Sequence, residues 1–184
     1  GVPYRMHDLY GQGFSAVLSE AEWTGYEECP ANRAPVEEQV SDVEWCDTLI
    51  FIYPTWWYGL PALLKGWLDR VLLPDVAFIM PKADGENIKP GLQHIKRMGV
   101  FTTCGASRWL TWYIGAPGKR TLMRGVGLLL APRARKVFAA HYLMDTAPRA
   151  SLTAHLARVA AKTDQLIGAK AAGTQAKLTG TAKT

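Results

Sequence analysis

Thr48-Leu49-Ile50-Phe51-Ile52-Tyr53, followed by Pro54-Thr55-Trp56-Trp57-Tyr58-Gly59-Leu60-Pro61, is the stretch on which the fold turns. Its first six residues are apolar and rich in β-branched and aromatic side chains, with the length of a strand covered on both faces; such strands belong to parallel sheets. Pro54 ends that strand because it has no N–H to give to a ladder. Pro61 suits the first turn of a helix, which Leu63, Leu64, Trp67, Leu68 and Val71 carry to Leu72. The local order is therefore strand, aromatic loop, helix.

The same alternation extends in both directions. Upstream, Val36, Val40 and Val43 at helical spacing, with acids between them, predict a helix over residues 36–45, and residues 3–8 read as a first strand. Downstream, residues 82–91 are rich in turn formers and read as an exposed excursion. Residues 97–103 predict a strand broken by the small-residue loop Cys104-Gly105-Ala106-Ser107. Residues 121–130 predict a helix, 136–143 a strand and 151–167 a last helix. This is an α/β parallel sheet with helices on both faces. The domain spans residues 1–168; residues 169–184 hold one large apolar side chain, Leu178, and read as a disordered tail.

A 184-residue chain that is 48% hydrophobic and 20% charged suits one soluble domain with a substantial core. No apolar run approaches the ~20 residues that span a bilayer. Cys29, Cys46 and Cys104 form neither a disulfide framework nor a zinc pattern, which fits a reducing, cytoplasmic setting. The net charge of +5 hides an asymmetry: residues 1–86 carry 14 acids and 5 bases, whereas residues 87–144 carry ten Lys or Arg and no acid. That basic third could face an anionic polymer, a membrane surface or a phosphorylated cofactor, or be a solvated face.

In open parallel sheets, ligands sit beyond the carboxyl ends of the strands. Two loops leave strands at that edge, residues 54–59 and 103–107. Trp56, Trp57 and Tyr58 leave two readings open: a platform for a flat aromatic ligand, or a plug for a core or dimer contact. His7, His94, His141 and His155 lack metal spacing and read as surface or core histidines, so no metal site is assigned. Nothing in the sequence sets a base beside Cys104.

The run from Ile50 to Val71, IFIYPTWWYGLPALLKGWLDRV, closely resembles the NAD(P)H:quinone oxidoreductases, the flavodoxin-like NAD(P)H dehydrogenases. Asp8-Leu9-Tyr10 with Gly13-Phe14 and Val17-Leu18 is similar to the segment after that family's second strand. Gly91-Leu92 resembles the approach to its fourth, and Thr102-Thr103-Cys104-Gly105-Ala106-Ser107 its second flavin loop. The resemblance covers roughly residues 4–168 and lacks the family's first strand, phosphate loop and first helix, so the flavodoxin-like sheet is expected to be N-terminally incomplete.

The resemblance implies noncovalent FAD or FMN, with Pro54, Thr55, Trp56, Trp57, Tyr58 and Gly59 along the flavin ring and Thr103, Cys104 and Gly105 near its pyrimidine side. It implies hydride transfer from NAD(P)H through the flavin to a quinone or similar acceptor, and a homodimer with active sites at the subunit boundary. Arg108, which follows the second loop, is the candidate cation beside the reduced ring and Tyr113 an auxiliary donor; many of the family have Tyr and His in this region, whereas here no His follows Thr103 until His141. Two other functions fit the same fold: a regulatory subunit associated with a membrane transporter, and a binder of anionic polymers through residues 87–144. Nucleic acid is not the expected partner.

Overall fold

The computed structural model describes residues 2–81, 83 and 85–168; the tail reading for residues 169–184 lies outside the described residues. Helix α1 (Glu20–Thr24) is one turn closed by a capping box. The Ser19 hydroxyl accepts from the Glu22 N–H, and the Glu22 carboxylate accepts from the Ser19 N–H. A 3-10 segment (Ala31–Val36) leads into α2 (Glu37–Trp45), whose Val40 and Val43 are buried. Strand β1 (Thr48–Pro54) and helix α3 (Ala62–Val71) follow, then the short antiparallel pair β2 (Phe78–Ile79) and β3 (Lys89–Pro90). Strand β4 (Arg97–Cys104) precedes α4 (Arg108–Tyr113), and α5 (Pro117–Arg120) runs through a π-helical stretch (Thr121–Val126) into α6 (Gly127–Leu129). Strand β5 (Arg135–Tyr142) and the long helix α7 (Arg149–Ile167) follow.

Strands β1, β4 and β5 form one parallel sheet in the order β1-β4-β5. Central β4 is buried along most of its length because a strand lies on each side and helices cover both faces. On one face Phe51 of β1 and Val100 of β4 join Val40, Leu64, Trp67, Leu68 and Val71, with the Trp67 ring edge-on to Phe51 at 6.0 Å. Each of these side chains contributes roughly 1.5–3 kcal/mol through burial. On the other face Phe101, Val137 and Ala139 pack against Leu166 of α7.

Two expectations are corrected. Strand β1 is covered on one face only: Ile50 and Ile52 share the α7 side of the sheet by register with Gly99 and Phe101, yet Ile52 is 78% exposed, because α7 packs on β4 and β5. Residues 3–8 are not a strand. Among the described residues no strand forms a ladder with them, and without a ladder there is no strand. Side chains hold that segment instead: His7 Nε2 lies 2.8 Å from Asp42 Oδ2, Arg5 also pairs with Asp42, and its guanidinium sits over the Trp45 ring at 4.4 Å.

Candidate functional site

The parallel register pairs Pro54 with Thr103, so the two predicted loops leave adjacent strands side by side. They are tied at once. Thr55 N–H donates to the Thr103 carbonyl at 2.7 Å, and Thr55 Oγ1 lies 2.8 Å from Thr102 Oγ1. Residues 56–59 then turn back on themselves, Gly59 N–H donating to Trp56 O at 2.8 Å and Trp56 N–H to Gly59 O at 3.3 Å.

Trp57 and Tyr58, the central residues of that turn, have φ of 47° and 61°. Positive φ at both centres is the pattern of a type I′ turn, which favours Asn-Gly. Bulky L-residues there cost roughly 1–2 kcal/mol each. Burial does not offset the strain at Trp57, which is 91% exposed beside a Trp56 that is 61% exposed, whereas Tyr58 is half-buried. The reading of Trp56 and Trp57 as a core plug is thereby corrected: within the chain the two indoles form an open ledge, and a ligand or partner surface is what they can serve, while half-buried Tyr58 lies at its base.

The ledge is backed by α5. Gly118 N–H reaches Tyr58 O at 3.4 Å, and a Cβ on Gly118 would stand 3.0 Å from the Gly59 carbonyl carbon, so a larger residue there would press the turn back by a few tenths of an ångström. The next residue, Lys119, holds its ammonium over the Phe138 ring at 4.7 Å. Behind the ledge is a water-sized space lined by Tyr53, Tyr58, Thr111, Lys119, Phe138 and Tyr142, too small for a flavin ring. Burial pushes the Tyr53 hydroxyl up to about 12, against the opposing influence of the neighbouring Thr102 side chain, so it stays protonated at neutral pH.

In the second loop the Thr103 carbonyl receives Thr55, and Cys104 is buried with Sγ 3.7 Å from Thr111 Oγ1. A Cβ at Gly105 would fall 2.5 Å from Asp145 Oδ2, which brings a carboxylate against this loop. Ser107 caps α4 by accepting from Leu110 N–H at 3.2 Å, and Arg108 is the first residue of the helix. Burial, then the neighbouring Cys104, raise the Tyr142 hydroxyl, while the charge of Arg108 pulls it the other way. Tyr113 is exposed and stacks on Trp109 at 5.5 Å, one turn away on the same helix.

The structure thus brings together residues 54–59 and 103–105, and places Arg108 and Tyr113 on the helix that leaves the second loop. Reading the sequence did not single out Thr102, Thr111, Gly118, Lys119, Phe138 or Tyr142. Tyr142 had a signal: it lies at the carboxyl end of the predicted strand 136–143, level with Cys104. Gly118 and Lys119 had none, because only the return of the chain from Ala116 sets them against Gly59.

The residues present fit a flat aromatic group. Two exposed indoles are held in a fixed turn beside a second loop with a cation at its helix start, and the chemistry of this set is stacking plus charge.

Comparison with known proteins agrees in fold. Part of the chain is 34% identical over 111 residues to a Haemophilus influenzae protein named "Uncharacterized NAD(P)H oxidoreductase", covering 58% of this chain and 50% of that one. It is 32% identical over 87 residues to NAD(P)H dehydrogenase [quinone] 1 of Rattus norvegicus, covering 39% and 32%. The chain spans half or less of the length of these curated relatives. Among solved structures, the NAD(P)H:quinone oxidoreductase from Methanothermobacter marburgensis superposes with a TM-score of 0.68 at 25% identity, over 85% of this chain and 78% of that one. An FMN-dependent NADH-azoreductase from Bacillus anthracis, solved with FMN, shares the fold with a TM-score of 0.64 at 15% identity, over 89% and 80%. The profile of the family described as "Flavodoxin-like fold" matches residues 2–162, and this chain belongs to that family.

Proposed function

We propose that the chain serves a flavin-dependent oxidoreductase that moves hydride from NAD(P)H to a quinone or similar acceptor. The observation that carries this is the Trp56–Tyr58 turn: strained, with both indoles exposed, and tied to a second loop at the carboxyl edge of a parallel sheet. FAD or FMN would supply reversible two-electron chemistry when bound. Residues 54–59 hold the ring and keep water from one side of it; Thr103, Cys104 and Gly105 approach its edge with backbone groups. Arg108 supplies positive charge where the reduced ring gains negative charge, and Tyr113 a hydroxyl donor.

The relatives' names support the acceptor class, quinone dehydrogenase and quinone oxidoreductase among them. A homodimer accords with the exposed Trp109, Trp112 and Tyr113 of α4, a cluster of large apolar side chains of the kind that marks protein contacts.

Absorption spectroscopy tests the reading. The purified chain, titrated with FAD and with FMN, should perturb the flavin spectrum, and NAD(P)H should bleach the bound flavin with reoxidation on addition of a quinone. A chain that binds neither flavin would sink the proposal. Arg108→Ala should slow flavin reduction in stopped flow, and an unchanged rate would remove Arg108 from its role.

A further inference from the structure

The geometry points to Thr102 as a positioning residue, whose buried hydroxyl clamps Thr55 and so holds the strained Trp56–Gly59 turn in the shape that presents its rings. This rests on the flavin reading for its purpose, though not for its mechanics. Thr102 is buried in β4, one position before the loop itself, and its register partner on β1 is Tyr53. Its Oγ1 lies 2.8 Å from Thr55 Oγ1 and 3.2 Å from the Thr103 carbonyl oxygen. One proton assignment satisfies both contacts: Thr55 donates to Thr102, and Thr102 donates to Thr103.

The same Thr103 carbonyl accepts the Thr55 N–H at 2.7 Å, so the two ends of Thr55, amide and hydroxyl, are both fixed to β4. Tyr53, the register partner of Thr102, is buried beside it on the interior side. Two linked hydroxyls, Thr102 and Thr55, therefore run from the sheet to the foot of the turn.

The turn needs such a foot. Trp57 and Tyr58 sit in left-handed conformations that local preference opposes, and such geometry persists only where the surroundings over-determine it. On the far side the turn is held by Gly118 at 3.4 Å, a long contact. On the near side the short Thr55 contacts fix where the turn begins. Without the Thr102 hydroxyl, Thr55 loses a hydroxyl partner, and Trp56–Gly59 gains room to relax toward negative φ.

The test compares wild type with Thr102→Val, which keeps the shape and deletes the hydroxyl, and Thr102→Ser, which keeps the hydroxyl. Hydrogen exchange read by mass spectrometry over residues 54–60 reports the amides of Thr55 and Gly59, whether or not flavin is present. Thr102→Val should speed exchange there by roughly 3- to 10-fold, the range of one lost hydrogen bond, with α7 unchanged. Thr102→Ser should stay near wild type. The dissociation constants for FMN and FAD should rise by a similar factor in Thr102→Val alone.

Wild-type exchange in Thr102→Val, or a Ser variant that behaves like the Val variant, would overturn the clamp. Should Thr102→Val not fold, Thr55→Val breaks the same contact from the half-buried side, and unchanged exchange at Gly59 in that variant refutes the proposal equally. If wild type binds no flavin, the function proposed above falls, and the exchange comparison still decides the clamp.

Discussion

Replacing Trp57 by glycine should move stability and cofactor affinity in opposite directions. The indole is 91% exposed, so deleting it forfeits almost no buried apolar surface. Its φ of 47° lies where an L-side chain costs roughly 1–2 kcal/mol and glycine costs nothing. Glycine's greater freedom in the unfolded chain takes back roughly 0.5–1 kcal/mol. The net expectation is a chain equal to wild type or up to about 1.5 kcal/mol more stable.

Stacking of a planar ring on an aromatic side chain is worth roughly 1–3 kcal/mol. Losing it should weaken flavin binding by about 5- to 150-fold. The paired assay is urea denaturation of the flavin-free chain, followed by the remaining tryptophan fluorescence, and titration with FMN and FAD. A stability loss above about 1 kcal/mol would show that the ring is packed in solution. Flavin affinity within twofold of wild type would show that the ledge does not hold the ring.

Three further outcomes follow from the packing. Arg70 is buried in α3, with Nε 2.7 Å from Glu22 and Nη1 2.7 Å from the Ser15 carbonyl. Arg70→Met should cost about 3–5 kcal/mol in urea unfolding by leaving the Glu22 charge unpaired; Glu22→Gln in the same background should recover part of it, and a loss under 1 kcal/mol would refute the pairing. Gly66→Ala places a Cβ 2.2 Å from the Ala16 carbonyl oxygen, where segment 14–18 crosses α3. It should lower stability by about 1–3 kcal/mol, and an unchanged thermal midpoint would contradict that crossing.

Buried His155 packs edge-on against His141 at 5.0 Å; burial, then the charges of His141 and Arg158, hold its pKa down. Lowering pH below the unfolded value of about 6.5 protonates the unfolded chain first. Stability should therefore be full above that pH and fall as pH drops toward the folded pKa. His155→Leu should flatten the fall; an equally steep slope in the variant would assign it to other groups.

The alternation of strand, loop and helix around residues 48–72 was legible because its causes are local: β-branched runs, prolines at the element ends, apolar spacing at the helical period. That placed the class of fold and both loops correctly before any tertiary contact was known. Four features were beyond it. The one-sided cover of β1 and the irregular path of residues 3–8 depend on which elements lie alongside, which no local pattern encodes. The choice between ledge and plug for Trp56 and Trp57 needed their exposure, because an indole in sequence reads the same in either place. The contacts that hold the ledge, Thr55 with Thr102 and Gly59 with Gly118, join residues 47 and 59 positions apart. Sequence carried the periodicities that build the elements; only tertiary structure decided the distances between their ends, because hydrogen bonds and close approaches of a few ångströms depend on how separate segments meet.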